Sequence, residues 1–388
     1  MYIYLIGFLC SIVFFYISTK IKNNKLLYFL SVIIALFIPC LIAGLRSENV
    51  GTDVKVYVKP LFDCAIRASS IKEYFSIGWS IIWRIKNVSE FEYGFSSFIY
   101  IIAKIFKSIQ FVLFFIQMIT VLPIYLGLKK FKKIDDKIWL GMLIYYFIFY
   151  SFTLNAMRQM IGISIVFYAF CVLINERGKD LKVIFMIIIA MLFHRSSALA
   201  FLLYFIYRIY FYQDRSNLKI IIGNNKFSFM KLSLFLFVVF MFIIIFNSKY
   251  LLTFLGVLGF DTYSNYISGE IVFSINQLLL RIPLLYLFIT QFKNMEKIDN
   301  KYLFFLIVFI MDIIFANLSS ASIYASRIGV IFNFFSIISL VILSTVSKSK
   351  KTNILNSLIV ILYSITYWAY IYVYLGSCHV IPYTFYWQ

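Results

Sequence analysis

Charge is scarce in this chain. Only 13% of its 388 residues are Asp, Glu, Lys or Arg, while 63% are hydrophobic and 21% aromatic, and the mean hydropathy is +0.92. So little polar surface excludes a water-soluble globular protein. Several motifs are also missing: a GxxxxGK[ST] phosphate loop, an HExxH zinc helix, a paired Asp-x-Asp for a nucleotide-sugar metal and a Gly-rich dinucleotide fingerprint. Their absence disfavours ATP-driven transport and chemistry on nucleotide sugars. The five cysteines, at 10, 40, 64, 171 and 378, form no CxxC or other metal spacing. No basic leader or small-residue cleavage site accompanies the first apolar run, which therefore reads as a retained helix.

What the chain does hold is a succession of apolar windows, each near the roughly 20 residues that a helix needs to cross about 30 Å of hydrocarbon. They fall at about 2–19, 26–45, 109–128, 138–154, 159–174, 232–247, 276–292, 302–317, 328–346 and 354–375. Basic clusters separate them at 20–25, 129–137, 177–182, 208–231, 293–301 and 348–351. The net charge of +20 thus reports topology rather than nucleic acid, and these loops are expected on the cytoplasmic side. Alternation then requires the run 183–212 to begin and end inside. Thirty residues are too many for one upright helix, so a broken or re-entrant pair is expected, turning at "FHRSS" (193–197) on the outer side. The fold class expected is an all-α polytopic integral membrane protein of about twelve segments. It forms one transmembrane domain over 1–388, with external loops at 46–108, holding an amphipathic helix, and at 248–275.

Polar residues collect on the expected outer side. They include Arg46, Asp53, Tyr57 and Glu92 in the first long loop, and Asn155, Arg158 and Gln159 in the tight turn "LNAMRQMIG". His194 and Arg195 follow at the helix break, then Arg281, and Arg327 in "YASRIGV". Arginines converging from separate helix ends in apolar surroundings suit a phosphate or diphosphate, because the planar guanidinium bonds in two prongs and keeps its charge on burial. No acid lies within four residues of Arg158 or Arg195 to serve as a local partner. Simpler readings stand beside this one. Arg46 and Arg281 also suit headgroup anchoring, Asn155 a helix cap, His194 ordinary packing, and Glu92 a surface acid at a helix start.

The ordered set Arg46, "VGTD", Tyr57, "FEYGF", "NAMRQMIGISIVFYAF", "IIIAMLFHRSSALAFLL", "YASRIGVIFNFF" and a terminal "IPY" resembles the EpsG-like branch of the Wzy-type polysaccharide polymerases. The resemblance covers most of the chain, with 213–300 outside it. It implies a GT-C-like architecture and a metal-independent, inverting glycosyl transfer between two undecaprenyl-diphosphate-linked oligosaccharides at the outer face of a bacterial inner membrane, without a cofactor. O-antigen, capsule or exopolysaccharide would be the product. Under that resemblance Arg46, Arg158, Arg195 and Arg327 hold the diphosphate, and Asp53, Glu92 or His194 is the general base. Tyr57, Asn155 and Gln159 contact sugar. Partners would be the two lipid-linked glycans, the bilayer, a chain-length regulator and a flippase. Two alternatives remain open: an O-antigen ligase, which differs only in acceptor, and a lipid-linked oligosaccharide flippase or transporter. A membrane O-acyltransferase fits less well, because the polar residues gather outside.

Overall fold

The computed structural model describes residues 1–81, 84–211, 219–222, 225–247, 271–298, 302–320 and 326–388. The chain divides into two compact units, one of Met1–Ala198 with Ser357–Gln388 and the other of Leu199–Asn356. Most of the expected loop 248–275 lies outside the described residues.

The first unit opens with α1 (Tyr2–Lys20) packed on α2 (Lys25–Gly44). Pro39 inside α2 has no N–H to donate, which leaves the carbonyl of Ala35 without its helical partner. Ser11 Oγ of α1 fills that vacancy at 2.7 Å. Apolar helices in hydrocarbon must satisfy every backbone group internally, and this is how the turn before Pro39 does so. Later come α6 (Ile109–Leu128) and α7 (Ile138–Ile144), the latter running through a widened turn, Tyr145–Tyr150, into α8 (Ser151–Thr153). The widened turn crowds Tyr145, Tyr146 and Tyr150 into the core. Their hydroxyls meet Gln117 (2.8 Å), Ser11 (2.8 Å) and the carbonyl of Pro39 (2.6 Å). A buried phenol needs such a partner, and each of these has one.

The segment 46–108 is a small folded body. It holds α3 (Lys59–Arg67), α4 (Ile71–Ser76), a hairpin of β1 (Gly78–Ile81) with β2 (Arg84–Asn87), and α5 (Tyr93–Phe106). Val58, Leu61, Tyr74, Val88, Phe95 and Ile99 form its core, which continues onto Val112 and Ile116 of α6. The amphipathic helix expected here is α5, and its apolar stripe faces this core. The unit is completed by α9 (Met157–Asn175) and α10 (Asp180–Phe193), which pack on each other. The last long helix, Lys350–Trp368, returns the chain to it, and residues 376–388 run back to the start of 46–108.

The second unit begins with α11 (Leu199–Tyr210). It contains a hairpin of Lys219–Ile222 with Asn225–Ser228, followed by helices Phe229–Phe246, Ile275–Leu279, Ile282–Ile298, Leu303–Ala316, Val330–Asn333 and Ser336–Leu343. Aromatic contacts knit it, such as Phe315 with Phe332 at 4.7 Å and Phe288 with Phe309 at 5.0 Å. Arg281 and Asp312 form a buried two-pronged ion pair, Nε to Oδ2 at 2.6 Å and Nη2 to Oδ1 at 2.8 Å. Arg281 is therefore not a headgroup anchor, and its partner in the apolar helix had no sequence signal.

The chain is an α-helical membrane protein. Among the described residues six helices are long and apolar enough to span, and 93–106, 138–153 and 327–343 are shorter apolar helices. The six are fewer than the expected twelve or so segments, and one reason is that several apolar runs are broken into pieces: 138–153 by its widened turn, 275–298 between Leu279 and Ile282, and 183–210 at His194. In that last run His194 is extended (φ −159°, ψ 123°) and a 3-10 turn, Arg195–Ala198, precedes α11.

Candidate functional site

Three helix ends meet in the first unit: the start of α5, the start of α9 and the end of α10. Glycine permits this. A Cβ at Gly94 in the first turn of α5 would lie 2.7 Å from the carbonyl oxygen of Leu192 in α10. One at Gly162, a turn beyond Arg158, would meet Ser197 Oγ and come within 3.1 Å of the Ala190 carbonyl. Neither position has room for a side chain, so α5, α9 and α10 approach at backbone distance.

The approach brings Glu92, Arg158 and His194 together. Arg158 Nη1 donates to Glu92 Oε2 at 2.6 Å, and His194 Nδ1 lies 3.1 Å from Glu92 Oε1. The Glu92 side chain is 10% exposed, against 21% for Arg158 and 17% for His194. Glu92 is the N-cap residue of α5, yet its carboxylate makes no cap bond. It turns instead to partners 66 and 102 residues away, so neither the helix-start reading nor the expectation of a partnerless Arg158 holds. Burial alone would raise the Glu92 pKa, but the hydrogen bond from His194 and the charge of Arg158 outweigh it and bring it down to about 2. Such a carboxylate stays ionised at neutral pH and is a weak base.

The guanidinium of Arg158 also rests against aromatic faces, its carbon 4.9 Å from the ring centres of both Tyr57 and Phe91. Lys86 of β2 reaches the same rings, 4.9 Å from Tyr57 and 5.5 Å from Phe91. Trp79, directly across the hairpin from Lys86, stacks on Phe91 at 5.5 Å. Cation–π attraction strengthens where water is excluded, and here it holds the guanidinium against both rings while Glu92 takes one of its donors. Of these residues Phe91, Trp79 and Lys86 escaped the sequence reading. The one available signal was the position of Phe91, immediately before Glu92 in "FEYGF".

A model of the EpsG family matches residues 29–385. The chain belongs to the EpsG family. That family is related to the Wzy-type polysaccharide polymerases. No curated protein and no solved structure matches the chain.

In this EpsG-family protein the other expected site residues fall in different places. Arg46 is 2% exposed, and its Nη2 points to the sulfur of Met157 at 3.2 Å, one residue before Arg158. Burial lowers its pKa, opposed by the fields of Tyr4, Tyr150, Tyr383 and Asp53. Asp53 is itself buried. Asn155 is not the helix cap, a place taken by Ala156. Its side-chain oxygen accepts from Thr52 N (2.9 Å) and Thr52 Oγ1 (2.6 Å), which pins the "VGTD" loop beside the turn before α9. Gln159 is buried in α9 and Arg195 is exposed in the 3-10 turn. Arg327 belongs to the second unit, at the 3-10 turn Arg327–Gly329. Within the first unit, then, the structure joins Tyr57, Glu92, Arg158 and His194.

Proposed function

We propose that this protein is a glycosyltransferase that polymerises undecaprenyl-diphosphate-linked oligosaccharide repeat units into O-antigen, capsule or exopolysaccharide. It would work in a GT-C-like membrane fold of about twelve segments at the outer face of the inner membrane, without a metal or cofactor. Family membership supports polysaccharide assembly in a membrane. The observation that carries the chemistry is the carboxylate of Glu92, shared between His194 and Arg158.

In this reading the ionised Glu92 accepts the Nδ1–H of His194, which makes Nε2 the ring nitrogen that carries the lone pair. Glu92 orients, and His194 is the base. Nε2 takes the proton of an acceptor hydroxyl as the oxygen attacks the anomeric carbon of the donor. The bond from that carbon to the diphosphate breaks, and the lipid diphosphate departs with the electron pair. Arg158 meets the growing charge with the guanidinium donors that Glu92 does not use, and stabilising charge that appears only in the transition state is what accelerates the step. Tyr57 and its neighbouring rings supply faces for a sugar. Asp53 remains a second candidate base, while Arg195 and Arg327 remain candidate diphosphate contacts. A chain-length regulator and a flippase would be partners in the cell.

The test is glycan length on the carrier lipid. A strain lacking this protein should keep single repeat units and lose long chains, and His194→Ala at normal protein level should look the same. Long chains retained on the carrier would instead mean a ligase, and normal chains from His194→Ala would remove the base.

A further inference from the structure

Arg46 poses a problem that the reaction above does not solve. A guanidinium taken out of water is ordinarily paired or fully hydrogen-bonded, because burying a charge without such partners is strongly unfavourable. Here Nη2 has only a thioether, a weak acceptor. Nε and Nη1 are buried with no hydrogen-bond partner among the described residues. Asp53 acts on the group through its field without bonding to either nitrogen.

The wall around this cation is made in part by residues 379–386. Arg46 pairs with Phe385 in an antiparallel bridge. Ser47 N donates to Thr384 O at 2.8 Å, Tyr386 N to Leu45 O at 3.0 Å and Gly51 N to His379 O at 3.0 Å. Tyr383 OH reaches Ile42 O at 2.9 Å, and Tyr4 OH reaches Val380 O at 3.0 Å. The strap leaves the preceding helix through left-handed backbone at Gly376 (φ 63°), Cys378 (φ 70°) and His379 (φ 49°). Two of these are not glycine, and a side chain makes that conformation unfavourable. The strap is thus held by one bridge pair, these hydrogen bonds and the buried side chains of Val380 and Tyr383, and it is strained at its root.

We propose that Arg46 is a concealed binding group for a phosphate-class anion, reached when the strap 379–386 lifts from residues 42–51. The unused guanidinium donors then bond the anion, and the strap closes again when it leaves. This rests on the polymerase reading only for the identity of the natural anion, which would be the lipid diphosphate head. The buried, unpaired cation and the strap stand without it.

The two hydroxyls of Ser47 and Thr384 lie 2.5 Å apart, close enough for a disulfide in their place. The full chain carrying Ser47→Cys and Thr384→Cys, with Cys378→Ser and Cys10→Ser to avoid mispairing, is purified into lipid nanodiscs. Binding of inorganic pyrophosphate and of a short polyprenyl diphosphate is measured by titration calorimetry. The reduced form is expected to bind, and the oxidised form to bind at least tenfold more weakly, recovering on reduction. Tighter binding of the polyprenyl compound points to a lipid head as the ligand, and equal binding to the free anion. Equal affinity in the oxidised and reduced forms would overturn the proposal, as would an Arg46→Lys or Arg46→Gln protein of normal elution volume that binds like the parent. Either failure leaves the glycan-length test untouched, so the two readings fall separately.

Discussion

At the residue scale Glu92 is the pivot, because two partners share one carboxylate, each on its own oxygen. Its pKa is depressed, so the stability it contributes is fully present above the ordinary carboxylate value and lost as pH falls from about 4.5 toward 2. A drop of that size is worth roughly 3 kcal/mol. Glu92→Gln should therefore be less stable than the parent by an amount of that order at pH 7, with the gap narrowing at pH 3, as read by thermal unfolding in detergent. Arg158→Lys keeps the charge but loses the fork that spans Glu92, two rings and a ligand. Polymerisation should fall about 100- to 1000-fold, the cost of a lost donor to a developing anion. An Arg158→Lys enzyme within a few-fold of the parent would reduce Arg158 to a structural partner of Glu92. The sequence marked Glu92, Arg158 and His194 separately as polar residues at apolar helix ends. It did not show that one carboxylate joins them, because separations of 66 and 102 residues carry no local periodicity.

At the scale of elements the site depends on how closely α5 and α10 approach. Gly94→Ala places a methyl group 2.7 Å from a backbone oxygen that has little freedom to move. The expected cost is about 1–3 kcal/mol, the usual penalty of overpacking. The strain should also part Glu92 from His194, so long-chain glycan should be lost even where the protein accumulates; normal chains from Gly94→Ala would show that the approach is not needed. Helix positions were legible from apolar windows: the expected spans at 2–19, 26–45 and 109–128 agree with α1, α2 and α6 within a residue or two at each end. The folded body at 46–108 was not. Its helices and hairpin are short, and its core borrows Val112, Ile116, Met157 and Ile161 from helices elsewhere in the chain. The break at His194 was legible for a different reason, since a charged and polar triplet is too costly to leave in the middle of an unbroken apolar helix facing lipid.

At the scale of the whole molecule, the proposed outward face has a direct check. Glu48 and Lys133 are both exposed, the first beside Arg46 and the second in the basic loop 129–137. An impermeant thiol reagent added to intact cells should label Glu48→Cys and spare Lys133→Cys, and the reverse pattern would place the site on the cytoplasmic side. The strap brings in the matter of time. Ser47 and the Thr384 that seals its loop are 337 residues apart. A ribosome adding about 5–20 residues per second needs roughly 20–70 s to cover that distance. Through that interval α1 and α2 are already made, while the guanidinium of Arg46 lacks one of its walls. The oldest part of the nascent protein therefore waits on one of the youngest, and a chain arrested before residue 379 should present a Ser47→Cys thiol that reacts quickly, then slowly once residues 379–386 have been added.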